Sequence, residues 1–280
     1  MNYITGERLQ ALADVGFAVT TNSIIDAQLK NTDLNVLFAD RLPVETIRGT
    51  CNRAKRIFVY THFLDFFFAH IFPSLDNTFT LITHNSDYGV SEKYSHFLDS
   101  GKIAAWYGQN IECEHEKLFS LPIGIANSQW PHGNLELLDS IRNEGNAKEF
   151  LVYKNYHVTR YGNRGEINMI TSANGIPMTP RKPQADYLRD IARSVLCICP
   201  PGNGIDCHRI WECLYLNCIP VVQNHIHYRQ FQDLPILLTD DWHTVDIPFL
   251  LDQESVMTQK YYNLEKLDLL FWKNAIIRGT

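Results

Sequence analysis

Short apolar runs that end in polar, turn-rich loops recur along the chain, and helical spacing follows several of them. Residues 55–62 (KRIFVYTH), 78–84 (TFTLITH), 103–107 (IAAWY) and 118–123 (LFSLPI) are rich in β-branched and aromatic side chains. Such runs predict strands buried on both faces, as parallel sheets require. Polar residues then dominate 139–148, where Asn143-Glu144-Gly145-Asn146 predicts a linker. Beyond it the pattern restarts. Strands are predicted over 149–153, 195–199, 219–222 and 235–238, with helical spacing over 162–172, 186–193 and 206–217. The tail, 261–277, predicts one or two closing helices. Two strand–helix series predict an α/β chain of two Rossmann-like, doubly wound units with parallel sheets. Their expected bounds are 1–145 and 146–260, followed by a closing helix in 261–280.

Composition narrows the function classes. The 280 residues are 45% hydrophobic and 20% charged, ordinary for a globular chain and ample for real cores. A net charge of -6 with scattered Lys and Arg argues against a nucleic-acid partner. Residues 1–7 show no basic stretch leading into an apolar core, so no signal peptide is expected. The most apolar segment, 63–72, holds Asp65 and His70 and is about half the length a membrane span needs. A soluble, cytoplasmic protein without a membrane span is expected. Of seven cysteines, five fall between Cys197 and Cys218, with no CxxC pair. The expectation is small buried hydrophobes in a reduced protein, without disulfides or zinc.

Chemistry concentrates in residues 199–222, CPPGNGIDCHRIWECLYLNCIPVV. A strand, a turn carrying Gly202, Asn203, Gly204 and Asp206, a helix and a second strand follow one another. Gly202 and Gly204 permit positive φ and close approach of a ligand to the backbone. The helix behind them offers free N–H groups suited to a diphosphate. His208 and Arg209 stand in its first turn, where a cation opposes the helix dipole unless an anion is present. Glu212 shares their face and can accept from ribose hydroxyls. The competing interpretation is that Arg209 and Glu212 form a simple surface pair. The turn is neither GxGxxG nor a P-loop, which weakens hydride transfer and ATP hydrolysis.

The pattern PPGNGxDxHRxWExLxxxxIPVV resembles the donor-binding segment of the exostosin-like inverting glycosyltransferases, a family of the GT-B fold. Residues 81–87 (LITHNSD), 106–110 (WYGQN) and 121–127 (LPIGIAN) are similar to its acceptor-side half, so the resemblance spans roughly 55–225. It implies two Rossmann-like domains facing a cleft, with donor phosphates contacted by Asn155, Arg160 and Arg164, and by Arg209 beyond. Viral members that build capsid glycans, including those of chlorella viruses, are the most similar branch. That likeness implies UDP-xylose as donor, a fucose-containing glycan or glycoprotein as acceptor, and the host-cell cytoplasm as location. The chain is short for the fold, so a trimmed N-terminal half is expected.

Inverting transfer needs a base for the acceptor hydroxyl and positive groups for the departing diphosphate. The sequence lacks Asp-x-Asp, so helix N-termini and arginines are expected to replace a metal, and no cofactor is expected. Asp87 is the first candidate base, His84 the second and His62 a third, all near predicted carboxyl ends of strands. Asp87 also suits a turn cap. Trp106, Gln109 and Asn110 are candidate acceptor contacts, although a core Trp fits as well. A non-catalytic nucleotide-sugar-binding protein, or an α/β enzyme using flavin or nicotinamide, are the rival classes.

Overall fold

The computed structural model describes residues 2–30, 34–158 and 163–278. The chain divides into two units, Met1–Pro131 with Asp268–Thr280, and His132–Leu267. In the first, α1 (Gly6–Gln10) precedes β1 (Val15–Ala18), α2 (Ser23–Leu29), β2 (Val36–Phe38), α3 (Val44–Cys51) and β3 (Arg56–Tyr60). Next come α4 (Leu64–Phe66), β4 (Phe79–His84), β5 (Ile103–Gly108) and β6 (Leu118–Ser120). The six strands pair in parallel in the order β2-β1-β3-β4-β5-β6. That order reverses direction between β1 and β3, which is double winding. β1 and β2 carry too little pattern to be predicted: Gly16 interrupts the first, and the second has three residues. Both nonetheless join the sheet, which is the larger of the two.

The apolar run after β3 is one core-filling ribbon of mixed helix. A 3₁₀ turn (Thr61–Phe63), α4, a π turn (Phe67–Ile71) and another 3₁₀ turn (Phe72–Ser74) follow in succession. Along this ribbon Leu64, Phe67, Phe68, Ile71 and Phe72 are all buried. Phe68 stacks on Phe97 with centroids 3.9 Å apart, and the Trp106 ring lies 5.5 Å away.

The second unit contains α5 (Leu135–Asn143), β7 (Phe150–Tyr153), α6 (Arg164–Ala173), α7 (Gln184–Ala192) and β8 (Ser194–Ile198). It continues with α8 (His208–Tyr215), β9 (Ile219–Gln223), β10 (Leu237–Thr239) and α9 (Ile247–Met257). Its four parallel strands stand in the order β10-β9-β8-β7. The winding therefore runs one way only, in contrast to the double winding expected from sequence. Leu196, Ile198, Ile219 and Val221 pack with Ile167, Trp242 and Leu250 in a core separate from that of the first unit.

The boundary lies at Pro131/His132 and not at 145/146, because α5 belongs with the second unit. Arg189 on α7 holds Glu144 just past α5 at 2.9 Å, and Asn146 Nδ2 donates to Ile141 O. The expected linker is thus a bonded turn. The last helix, α10 (Leu269–Arg278), belongs to the first unit, where Leu269 N donates to Asn2 O at 2.9 Å. Among the described residues no helix is long and apolar enough to cross a membrane.

Candidate functional site

In the second unit the loop between β8 and α8 leaves the carboxyl end of a central parallel strand, where α/β folds collect ligands. Gly202 N donates to Gly204 O at 2.9 Å, which closes the turn. Positive φ occurs at Gly101, Gly124, Gly145 and Gly175, and not at Gly202 or Gly204. The expected left-handed turn is therefore absent. Gly202 serves close approach instead: a Cβ there would stand 3.0 Å from Arg164 Nη2. Asn203 is exposed at the tip.

Arg164 opens α6 and wraps the same turn, with Nε donating to Pro201 O at 2.8 Å and Nη1 to His157 O at 3.3 Å. Its guanidinium carbon lies 5.9 Å from the Tyr156 ring centre. Arg209, in the first turn of α8, stands 5.8 Å from that same ring and 5.9 Å from Tyr187. Two cations thus share one aromatic ring and raise each other's electrostatic cost. Burial pushes the Arg164 pKa down, and nearby Arg209 adds to the effect. Arg209 Nε is buried without a hydrogen-bond partner. Such an arrangement is stabilised by an anion lying against both guanidinium groups.

The start of α8 suits the same anion. Its N-cap, Cys207, makes no side-chain cap bond, and the first turn holds no acidic residue. By contrast Asn22, Asn134 and Asp246 cap α2, α5 and α9 with side-chain oxygens. Ile210 N, in that first turn, donates to Cys207 O at 3.1 Å, and the positive end of the helix dipole still favours an anion there. His208 sits beside them, 6.0 Å ring to ring from His132.

Glu212 is only 6% exposed. Its Oε2 accepts from Tyr187 Oη at 2.8 Å, and burial raises its pKa against the opposing effects of that bond and of Arg209. The carboxylate is held by a tyrosine from α7 and is near enough to Arg209 to interact with it. Asp206 is 3% exposed, and both its oxygens take the Trp211 indole N–H at 2.9 Å. His227 Nε2 lies 3.5 Å away. This buried carboxylate, where the sequence suggested a ligand contact, pins the loop to α8. Asn155, half-buried two residues past β7, donates to Pro180 O at 2.8 Å. Arg160 lies outside the described residues.

Sequence reasoning missed the aromatic part of the site. Tyr156 and Tyr187 frame Arg209, and only Tyr156 had a signal, its place directly after Asn155. A small pocket of about 60 Å³ adjoins the loop, lined by Cys199, Pro201, Ile205, Val222, His225 and Tyr228 among others. Tyr228 Oη ties this wall to Ile205 O at 2.9 Å. An apolar slot beside a cation pair can take a flat ring next to a phosphate.

In the first unit the candidates separate. Asp87 is exposed beyond β4, and Asn110 Nδ2 reaches its carbonyl at 3.4 Å. His84, 1% exposed, points inward, with Nε2 3.1 Å from Pro122 O and Nδ1 3.1 Å from Asn85 Oδ1. Asn85 and Asn110 both take positive φ, near 58° and 54°, and turn the chain sharply at the ends of neighbouring strands. His62 is half-buried at the end of β3, with Nδ1 3.3 Å from Ser86 Oγ, and burial lowers its pKa. Trp106 and Gln109 are 0% and 1% exposed. The indole donates to Thr83 Oγ1 at 2.9 Å and packs in the core, so neither residue offers a face to an acceptor. Asn110 is equally buried.

No family model matches the chain. Among curated proteins it is similar to ribitol-5-phosphate xylosyltransferase 1 of Danio rerio, 27% identical over 113 residues. That match spans 36% of this chain and 26% of the relative, about a quarter of the latter's length.

Proposed function

We propose that the chain is a glycosyltransferase whose second unit binds a nucleoside diphosphate sugar and whose first unit receives the acceptor hydroxyl. The observation that carries this is the pairing of Arg164 and Arg209 around Tyr156 beside an uncapped α8. Two cations, the positive end of a helix dipole and an adjoining apolar slot match a diphosphate joined to a flat base. The xylosyltransferase similarity supports transfer of a sugar, and xylose from UDP-xylose is the specific donor proposed. The sequence resemblance extends the proposal to GT-B organisation, inversion, and a glycan acceptor such as capsid fucose.

In this mechanism the acceptor oxygen attacks the anomeric carbon as its proton passes to a base. The bond to the diphosphate breaks on the opposite side, and negative charge grows on the leaving oxygens. Arg209, Arg164 and the start of α8 stabilise that charge without reorganising, so no metal is required. Asp87 is the proposed base because it alone among the first-unit candidates combines a carboxylate with exposure at a strand's carboxyl end.

Melting the chain with UDP-, GDP-, CMP- and dTDP-sugars, each with and without EDTA, tests the proposal. A ligand that binds only the folded state raises the melting temperature. A rise with UDP-xylose that survives EDTA is expected. No rise with any nucleotide sugar would sink the donor site; a rise that EDTA abolishes would sink metal independence alone.

A further inference from the structure

The cysteine concentration singled out in the sequence plays no part in the proposed reaction, yet the fold gives it a specific shape. Cys197 and Cys199 are two apart along β8 and its continuation, so both thiols leave one face of the strand. Cys213 comes down onto that face from α8. The three residues are 0%, 1% and 0% exposed, and their sulfurs all lie within 4.8 Å of one another. Cys199 Sγ and Cys213 Sγ stand 3.9 Å apart. Among the described residues this is the one cluster of ligating side chains so tightly grouped.

We propose that Cys197, Cys199 and Cys213 form a three-sulfur site for a soft monovalent d¹⁰ cation, of which copper(I) is the type. Thiolates at a metal–sulfur distance of ~2.3 Å stand about 4.0 Å apart in a trigonal plane, close to the spacing between Cys199 and Cys213. Soft sulfur donors select copper(I) and zinc over oxygen-seeking ions. Zinc sites favour four ligands, and the next thiol, Cys218, adjoins Cys213 without joining the compact group.

Charge also suits the site. Three thiolates around a monovalent ion leave a net negative cluster. The Arg209 guanidinium is close enough to interact with Cys197 and Cys199, and the Lys148 ammonium with Cys213 and Cys218. Each of the three sulfurs thus has a cation near it. On binding, each thiol that ligates releases its proton to solvent, and no electron is transferred. An ion here would tie β8 to α8, the two elements that carry the arginine-lined loop. The inference is independent of the sugar-transfer proposal.

The test uses the full chain, reduced, metal-free and kept anaerobic, titrated with copper(I) against a coloured copper(I) chelator and with zinc(II) against a zinc dye. One copper(I) per chain is expected, held at least tenfold more weakly by Cys197→Ala, Cys199→Ala or Cys213→Ala and unchanged in Cys51→Ala. X-ray absorption of the copper-loaded wild-type chain gives an answer even if a variant misfolds; three sulfurs at one distance are expected. Copper affinity unaffected by all three substitutions would overturn the site. So would a shell containing nitrogen or only two sulfurs, or tighter binding of zinc(II) with four sulfurs.

Discussion

Arg209 illustrates how one side chain decides the reading of a whole loop. On a solvent-facing helix, a partner three residues along would make it an ordinary surface pair. Here Glu212 is turned to Tyr187, and Arg209 lies between two tyrosine rings with its Nε unpartnered. Arg209→Lys keeps the charge and loses the planar fork, so UDP-sugar affinity should fall at least tenfold, by ~1.4 kcal/mol or more, at an unchanged melting temperature. Calorimetric titration measures it, and equal affinity would remove Arg209 from the site. Asp206 makes the opposite case. Asp206→Ala leaves the buried Trp211 N–H without its acceptor, which should cost about 1–3 kcal/mol of stability in a urea melt. A wild-type midpoint would show that the carboxylate does not brace α8.

Elements with long apolar runs were legible from sequence; those built by context were not. β4 falls within a residue of its prediction, since six consecutive buried residues leave little ambiguity. β8 and β9 were equally plain. β1 escaped because four residues with a glycine show no period, though tertiary pairing buries all of them. At the site, the glycine turn and Arg209 were visible as a motif, whereas Tyr187 is brought in by α7 and had no local signal. Trp106 shows the reverse error: an aromatic at a strand end looked like a sugar platform and is core. One turn invites a direct test. Gly124 has φ +67°, and a Cβ there would meet Ile4 O at 2.3 Å, where the N-terminal segment pairs with Ile125. Gly124→Ala should destabilise the chain by more than ~1 kcal/mol through both strain and clash, read as a lowered melting temperature. An unchanged melt would mean that this segment is not firmly docked.

At the scale of the molecule, stability should respond to alkali. Burial pushes the Cys51 thiol up to about 12 and the Tyr60 hydroxyl, also bonded by Gln10, to about 12. Unfolded, these groups ionise near 8.5 and 10. Their contribution is complete below the unfolded values and is lost as pH rises toward the folded ones, because the unfolded chain then binds fewer protons. Urea melts should weaken from about pH 9 upward, by up to ~1.4 kcal/mol per pH unit for each group. Cys51→Ala should flatten that slope; an identical slope would show that the thiol titrates alike in both states.

The return of α10 to the first unit, where Leu269 meets Asn2, gives the chain a nested order of assembly. The second unit is an insertion in the first, since residues 132–267 are preceded and followed by the two parts of the first unit. During synthesis the inner module is complete before the outer one, reversing the usual rule that the N-terminal domain finishes first. The outer sheet must wait, with its α10 partner still in the ribosome, until the inner module has left it. The nascent chain thus presents a closed inner module while the outer one still lacks α10.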